Sequence, residues 1–110
     1  MINLIHGDCL EEMGKLIEQG VVVDAIITDP PYGMTPCEWD SVIPFEPMWE
    51  RLHELIKPNG AIVLFGSEPF SSALRMSNIK RYKYDWVWEK SHPSGKALVN
   101  KRVMKYHENL

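Results

Sequence analysis

The stretch Val21-Val22-Val23-Asp24-Ala25-Ile26-Ile27-Thr28-Asp29-Pro30-Pro31-Tyr32-Gly33 decides the fold. Its first eight residues are mostly apolar and β-branched, broken only by Asp24. That is the composition of a strand buried on both faces of a parallel sheet. The run stops abruptly at Asp29-Pro30-Pro31. Proline disfavours helix in the residue before it and offers no N–H to a ladder. A loop therefore leaves the carboxyl end of a buried strand, the place where open α/β sheets bind ligands.

Towards the N-terminus, Asn3 to His6 reads as a short strand and Asp8 as a helix N-cap. Cys9 to Gln19 then reads as a helix with Leu10, Met13, Leu16 and Ile17 on one stripe, closed by Gly20. Towards the C-terminus, Pro44 to Lys57 reads as a second helix, with Met48, Trp49, Leu52, Leu55 and Ile56 on one face and Pro58-Asn59-Gly60 as its stop. Ala61 to Phe65 is a further short buried strand. Ser67 is the expected cap of a third helix carrying Pro69 in its first turn. Tyr82 to Glu89 alternates like a strand, Ser91 to Lys101 is a polar loop, and another strand starts from Met104. Strands alternating with helices predict an α/β fold, with mostly parallel strands flanked by helices in a single unit spanning 1–110.

The 110 residues suffice for one small domain. There is no apolar run of the roughly 18 residues that a membrane span needs, and no secretory pattern at the start, so a cytoplasmic protein is expected. Cys9 and Cys37 are too few for a disulfide framework. The histidines His6, His53, His92 and His107 lack metal-ligand spacing, and no metal is expected. The net charge of −3 conceals an asymmetry. Residues 1–74 carry three basic side chains against twelve acidic ones, a net of −9; residues 75–110 carry nine against three, a net of +6. The basic third, with Lys101, Arg102 and Lys105, is the expected contact with nucleic-acid phosphates.

The loop Thr28 to Gly33 has the groups that methylation of an aromatic amine requires. Such an amine is a weak nucleophile because its lone pair is delocalised into the ring. Acceptors for its N–H bonds favour the pyramidal, attacking form. The Asp29 carboxylate and the Pro30 carbonyl are two such acceptors, and Pro30 and Pro31 hold them stiff in advance of reaction. Tyr32 suits stacking on a base drawn out of a duplex, and Gly33 lets the backbone turn closely around the pocket.

This string resembles the catalytic motif of the DNA amino-methyltransferases that modify adenine or cytosine. Gly7-Asp8-Cys9 resembles the Gly-Asp that precedes the catalytic strand in the circularly permuted beta class. Leu64-Phe65-Gly66-Ser67 resembles the segment behind the target-base pocket, and Tyr84 to Lys90 and Lys105-Tyr106-His107-Glu108 resemble later family segments. The resemblance implies a partial Rossmann-like methyltransferase sheet, with S-adenosylmethionine (SAM) as cofactor and DNA as partner. It implies methyl transfer to the exocyclic amine of a flipped base, with adenine favoured by Asp-Pro-Pro-Tyr, in the setting of restriction-modification. It places Asp8 and Asp29 near SAM and makes Asp29, Pro30, Pro31 and Tyr32 catalytic. Tyr32, Gly33, Lys101, Arg102 and Lys105 are the residues expected against the substrate.

The family's glycine-rich SAM loop and target-recognition region are absent from these 110 residues. The expectation is therefore a truncated or split portion of such an enzyme, with an apolar face left uncovered that recruits a second copy or a complementary methyltransferase chain. Two alternatives stand beside it: a non-catalytic DNA- or protein-binding module derived from such an enzyme, and an RNA methyltransferase.

Overall fold

The computed structural model describes residues 1–94 and 105–110, with the side chains of 92–94 and 105–107 outside the description. The elements in chain order are α1 (Cys9–Glu18), β1 (Val23–Thr28), α2 (Phe45–Leu55), β2 (Ile56–Leu64), α3 (Phe70–Ser77), β3 (Val87–Ser94) and β4 (Lys105–Asn109). β1 and β2 pair in parallel, which requires the crossover through α2. β3 and β4 pair antiparallel, and a bridge between Gly66 and Asn109 ties this ribbon to the end of β2. The expected α/β fold, a parallel pair flanked by helices, is observed.

Both ends of α1 follow from single residues. The Asp8 carboxylate accepts from the N–H of Leu10 at 3.0 Å and of Glu11 at 3.2 Å, satisfying two donors of the first turn. Gly20 has φ of +76°. Its N–H donates to the Ile17 carbonyl and that of Val21 to the Leu16 carbonyl, the paired bonds of a Schellman stop.

The second helix ends earlier than the sequence suggests. It stops at Leu55, and Ile56 is already extended. Lys57 precedes Pro58 and is thereby biased away from helix. Pro58-Asn59-Gly60 thus lie inside β2 as an irregularity: Val23 pairs with Ile56, yet Ala25 pairs with Ala61. Only glycine fits at position 60, because a Cβ there would sit 2.6 Å from the Ile56 side chain and 2.7 Å from the Asp24 carbonyl. The third helix also differs. Pro69 is its N-cap and no side chain caps it. The Ser67 carbonyl accepts from the Ser71 N–H at 3.0 Å, so the Ser67 side chain is not needed for capping. The strand expected over Tyr82 to Glu89 begins only at Val87, and Ser91 to Ser94, expected in a loop, extend it. The rest of that expected loop lies outside the described residues.

The core lies between helices and sheet. Met48, Leu52, Phe70 and Leu74 are its buried members, with Leu10, Met13, Ile26, Ile62 and Leu64 packed against them. Met48, Leu52 and Leu55 recur at helical spacing and form the buried face of α2. Each such side chain contributes roughly 1.5–3 kcal/mol by leaving water.

The opposite face of the sheet is open. Burial of β1 on both faces was expected, but Ile26 packs inward while Ile27 is 70% exposed. The segment Asn3 to His6 forms no strand, and Ile2, Leu4 and Ile5 are exposed. A strand needs a neighbour for its N–H and C=O groups, and among the described residues this segment has none. No helix among the described residues is long and apolar enough to cross a membrane.

Candidate active site

The carboxyl ends of β1 and β2 lie side by side, joined beyond the last strand residues by the Phe65 N–H donating to the Thr28 carbonyl at 3.0 Å. Asp29 follows directly on β1 and is exposed, whereas Pro30 is buried and anchors the loop. The Tyr32 hydroxyl donates to Oδ1 of Asp29 at 2.6 Å. The Tyr32 ring stacks on Phe70, with centroids 5.2 Å apart and planes 25° apart. Phe70 opens α3 and is itself buried against Phe45 in the core. Asp29 is therefore fixed through Tyr32 to the body of the protein. Burial pushes the Tyr32 phenol well above the ordinary tyrosine range, helped by the hydrogen bond to Asp29 and by the charges of Asp29 and Glu108. Tyr32 is a neutral hydroxyl donor at every physiological pH.

Gly33 has φ of +71°, and a Cβ there would sit 2.9 Å from the Val42 side chain. No other residue type fits this turn without strain. Beyond it, Asp40 holds the returning loop. One carboxylate oxygen accepts from the Gly33 N–H at 3.0 Å. The other accepts from the Met34 N–H at 3.0 Å and from the N–H and hydroxyl of Thr35, each at 2.7 Å. The Thr35 hydroxyl and these three N–H groups hold the Asp40 carboxyl below the usual carboxylate range.

The structure brings Asp29, Pro30, Pro31, Tyr32 and Gly33 together in one loop. Asp8 is occupied as the cap of α1, and among the described residues no hydrogen bond joins it to that loop. Lys101 and Arg102 lie outside the described residues, and Lys105 is described only as the first residue of β4. Among the described residues no group of histidine, cysteine and acidic side chains has the makings of a metal site. Sequence reasoning missed Asp40 and the seat that Phe70 gives Tyr32. The signal for Asp40 was available in chemistry rather than in pattern. A loop with no ladder must find acceptors for its N–H groups, and Asp40 is buried where it can serve three of them.

No protein-family model and no curated protein matches the chain. Solved structures do. The crystal structure of M1.HpyAVI and that of the M1.HpyAVI-SAM complex each superpose with a TM-score of 0.73 at 28% sequence identity. The chain matches a methyltransferase fold. The match covers 99% of this chain and 52% of each neighbour, so the chain spans about half the length of the proteins that it resembles. The second of these neighbours was crystallised with SAM.

Proposed function

We propose that the chain is the base-binding, catalytic-loop portion of a SAM-dependent DNA methyltransferase that acts on the exocyclic amine of a flipped adenine. The observation that carries this is the Asp29–Tyr32 pair, seated on Phe70 at the carboxyl end of β1. Tyr32 engages Oδ1 of Asp29, leaving Oδ2 for one N–H of the target amine. The Pro30 carbonyl takes the other. With both N–H bonds accepted, the lone pair concentrates on nitrogen. Because the two acceptors are fixed before the base arrives, little reorganisation accompanies attack. The Tyr32 ring supplies a stacking surface for the base. The likeness to M1.HpyAVI, a DNA methyltransferase, supports the same reading.

SAM supplies the methyl group in such a reaction, but the residues present do not make its cradle. A Cβ at Gly7 would meet the Glu12 carboxylate at 2.7 Å, and one at Gly66 would meet the Ser71 hydroxyl at 2.8 Å. The chain's own side chains already fill these spaces, and the Asp8 carboxylate is committed to its helix. We assign the donor's cradle to the part of the neighbours' fold that this chain does not span.

The same filled glycine positions favour a second reading, a binding module without turnover. Transfer of label from tritiated SAM to mixed-sequence DNA separates the two. The test uses the chain alone and the chain mixed with a SAM-binding portion of such an enzyme. Transfer only in the mixture supports the catalytic reading. DNA binding with no transfer in either case supports the module.

A further inference from the structure

Glu108 and Trp88 stand opposite one another across the β3–β4 ribbon. Lys90 follows Trp88 by two residues and shares its face. The Lys90 ammonium meets Oε1 of Glu108 at 2.5 Å, and the two side chains are only 20% and 18% exposed. The same ammonium lies 5.9 Å from the centre of the Trp88 ring, within cation–π range. This face is turned towards the candidate site. Trp88 meets Phe65 edge-on, with ring centroids 6.3 Å apart. The Phe65 N–H in turn donates to the carbonyl of Thr28, the residue before Asp29. One residue beyond Glu108, Asn109 bridges to Gly66. Glu108 is close enough to the catalytic loop for its charge to act on the Tyr32 phenol together with that of Asp29.

We propose that Lys90 is a positioning residue of the base site: by pairing with Glu108 it reserves the Tyr32 hydroxyl for Asp29. The phenol has one proton to donate, and two carboxylates act on it. A carboxylate left uncompensated in a partly buried place is a strong acceptor, because little water remains to solvate its charge. Glutamate also has the rotatable bonds to turn towards a donor. Lys90 neutralises Glu108 and holds it on the ribbon. The Tyr32 proton then stays on Oδ1 of Asp29, at 2.6 Å. Lys90 does not touch the base. It acts through Glu108 and Tyr32 on the orientation of Oδ2, the acceptor assigned above to the target amine, so the proposal rests on that reading of Asp29. A pair that merely fastened β3 to β4 would do nothing to the phenol, and an uncharged pair would replace it at little cost.

Carbon-13 NMR of Cζ-labelled tyrosine, on the whole 110-residue chain at neutral pH, reads the hydrogen bond of the phenol directly. The spectrum of Tyr32→Phe identifies the resonance. Lys90→Met leaves Glu108 unpaired and should move that resonance. Combining Lys90→Met with Glu108→Gln should return it towards its original position. In a mixture that restores methyl transfer, Lys90→Met should lower kcat roughly two- to tenfold, the cost of losing the Tyr32–Asp29 bond. The double variant should recover most of that loss. A resonance that does not move, or that moves equally in the single and double variants, would reduce the pair to a strand fastening and overturn the proposal. If the resonance behaves as expected but no mixture transfers methyl groups, the methyl-transfer reading fails while the hold of Lys90 on Tyr32 stands. Should Lys90→Met not fold, Glu108→Gln alone decides. Its removal of one nearby negative charge should bring the alkaline titration of Tyr32 down by roughly half a pH unit, and an unmoved midpoint would overturn the proposal.

Discussion

The hydroxyl of Tyr32 donates to Oδ1 of Asp29 at 2.6 Å, and this one bond couples the exposed carboxylate to the core. The coupling has a spectroscopic consequence. Burial and Asp29 raise the Tyr32 pKa, so the folded state favours the protonated phenol. The corresponding stability is fully present below the ordinary tyrosine value of about 10 and is lost as pH rises through the folded value. In an alkaline titration followed near the tyrosinate band, subtracting a Tyr32→Phe variant should reveal a phenol that ionises only above that range. A difference curve centred near pH 10 would show that the bond does not persist in solution.

Asp40 governs the loop from the other side. Its pKa is lowered, so its contribution is present above the unfolded carboxylate value of about 3.9 and is lost as pH falls through the folded value. Asp40→Ala removes both oxygens that accept from these N–H groups. Amide exchange at Gly33, Met34 and Thr35 should rise to the rate of an unprotected chain, while the α2 amides keep their protection. Retained protection at those three positions would remove Asp40 from this role.

How far the sequence spoke for the structure depends on whether the cause was local. The Asp8 cap, the Gly20 stop and the inward face of α2 are set by residues within a turn of one another, and all were legible. So was the loop after Thr28, because two prolines leave few options. The strand expected at Asn3 to His6 did not form, because pairing requires a partner that composition cannot supply. The early start of β2 at Ile56 was hidden because Pro58-Asn59-Gly60 reads as a stop, whereas here it accommodates the close approach of Asp24. Asp40 and Phe70 act at 7 and 38 residues from their partners Gly33 and Tyr32. No periodicity encodes that.

Leu52 tests the core. It is 4% exposed and lies with Met48, Phe70 and Leu74 in the buried cluster of the described residues. Leu52→Ala should destabilise the chain by about 2–5 kcal/mol through lost transfer energy and a residual cavity. In urea denaturation that should consume much of the stability of so small a domain. The sheet's open face offers no compensating collapse, since Ile27 faces solvent on the far side. A loss under about 1 kcal/mol would mean that the helices repack freely over the sheet.

Asp29 carries the functional claim. In a mixture that restores methyl transfer, Asp29→Ala should lower the rate by about 100- to 1,000-fold, the usual cost of removing one preorganised charge-stabilising group. The loss should fall on kcat, because the carboxylate acts on the attacking geometry of the amine and adds little to ground-state binding. Folding should change little, since the side chain is exposed and its one described hydrogen bond is to Tyr32. Tyr32→Phe keeps the ring on Phe70 and deletes only the bond that orients Asp29. A net hydrogen bond is worth about 0.5–1.5 kcal/mol, so a rate loss of roughly two- to tenfold is expected with base capture intact. Tyr32→Ala removes the stacking surface and should weaken capture by about 1–3 kcal/mol, seen as a rise in KM. Single-turnover kinetics on all three variants separate these effects. If Asp29→Ala kept most of the activity while Tyr32→Ala lost it, the loop would serve to hold the base, and the attack geometry would have to come from another group.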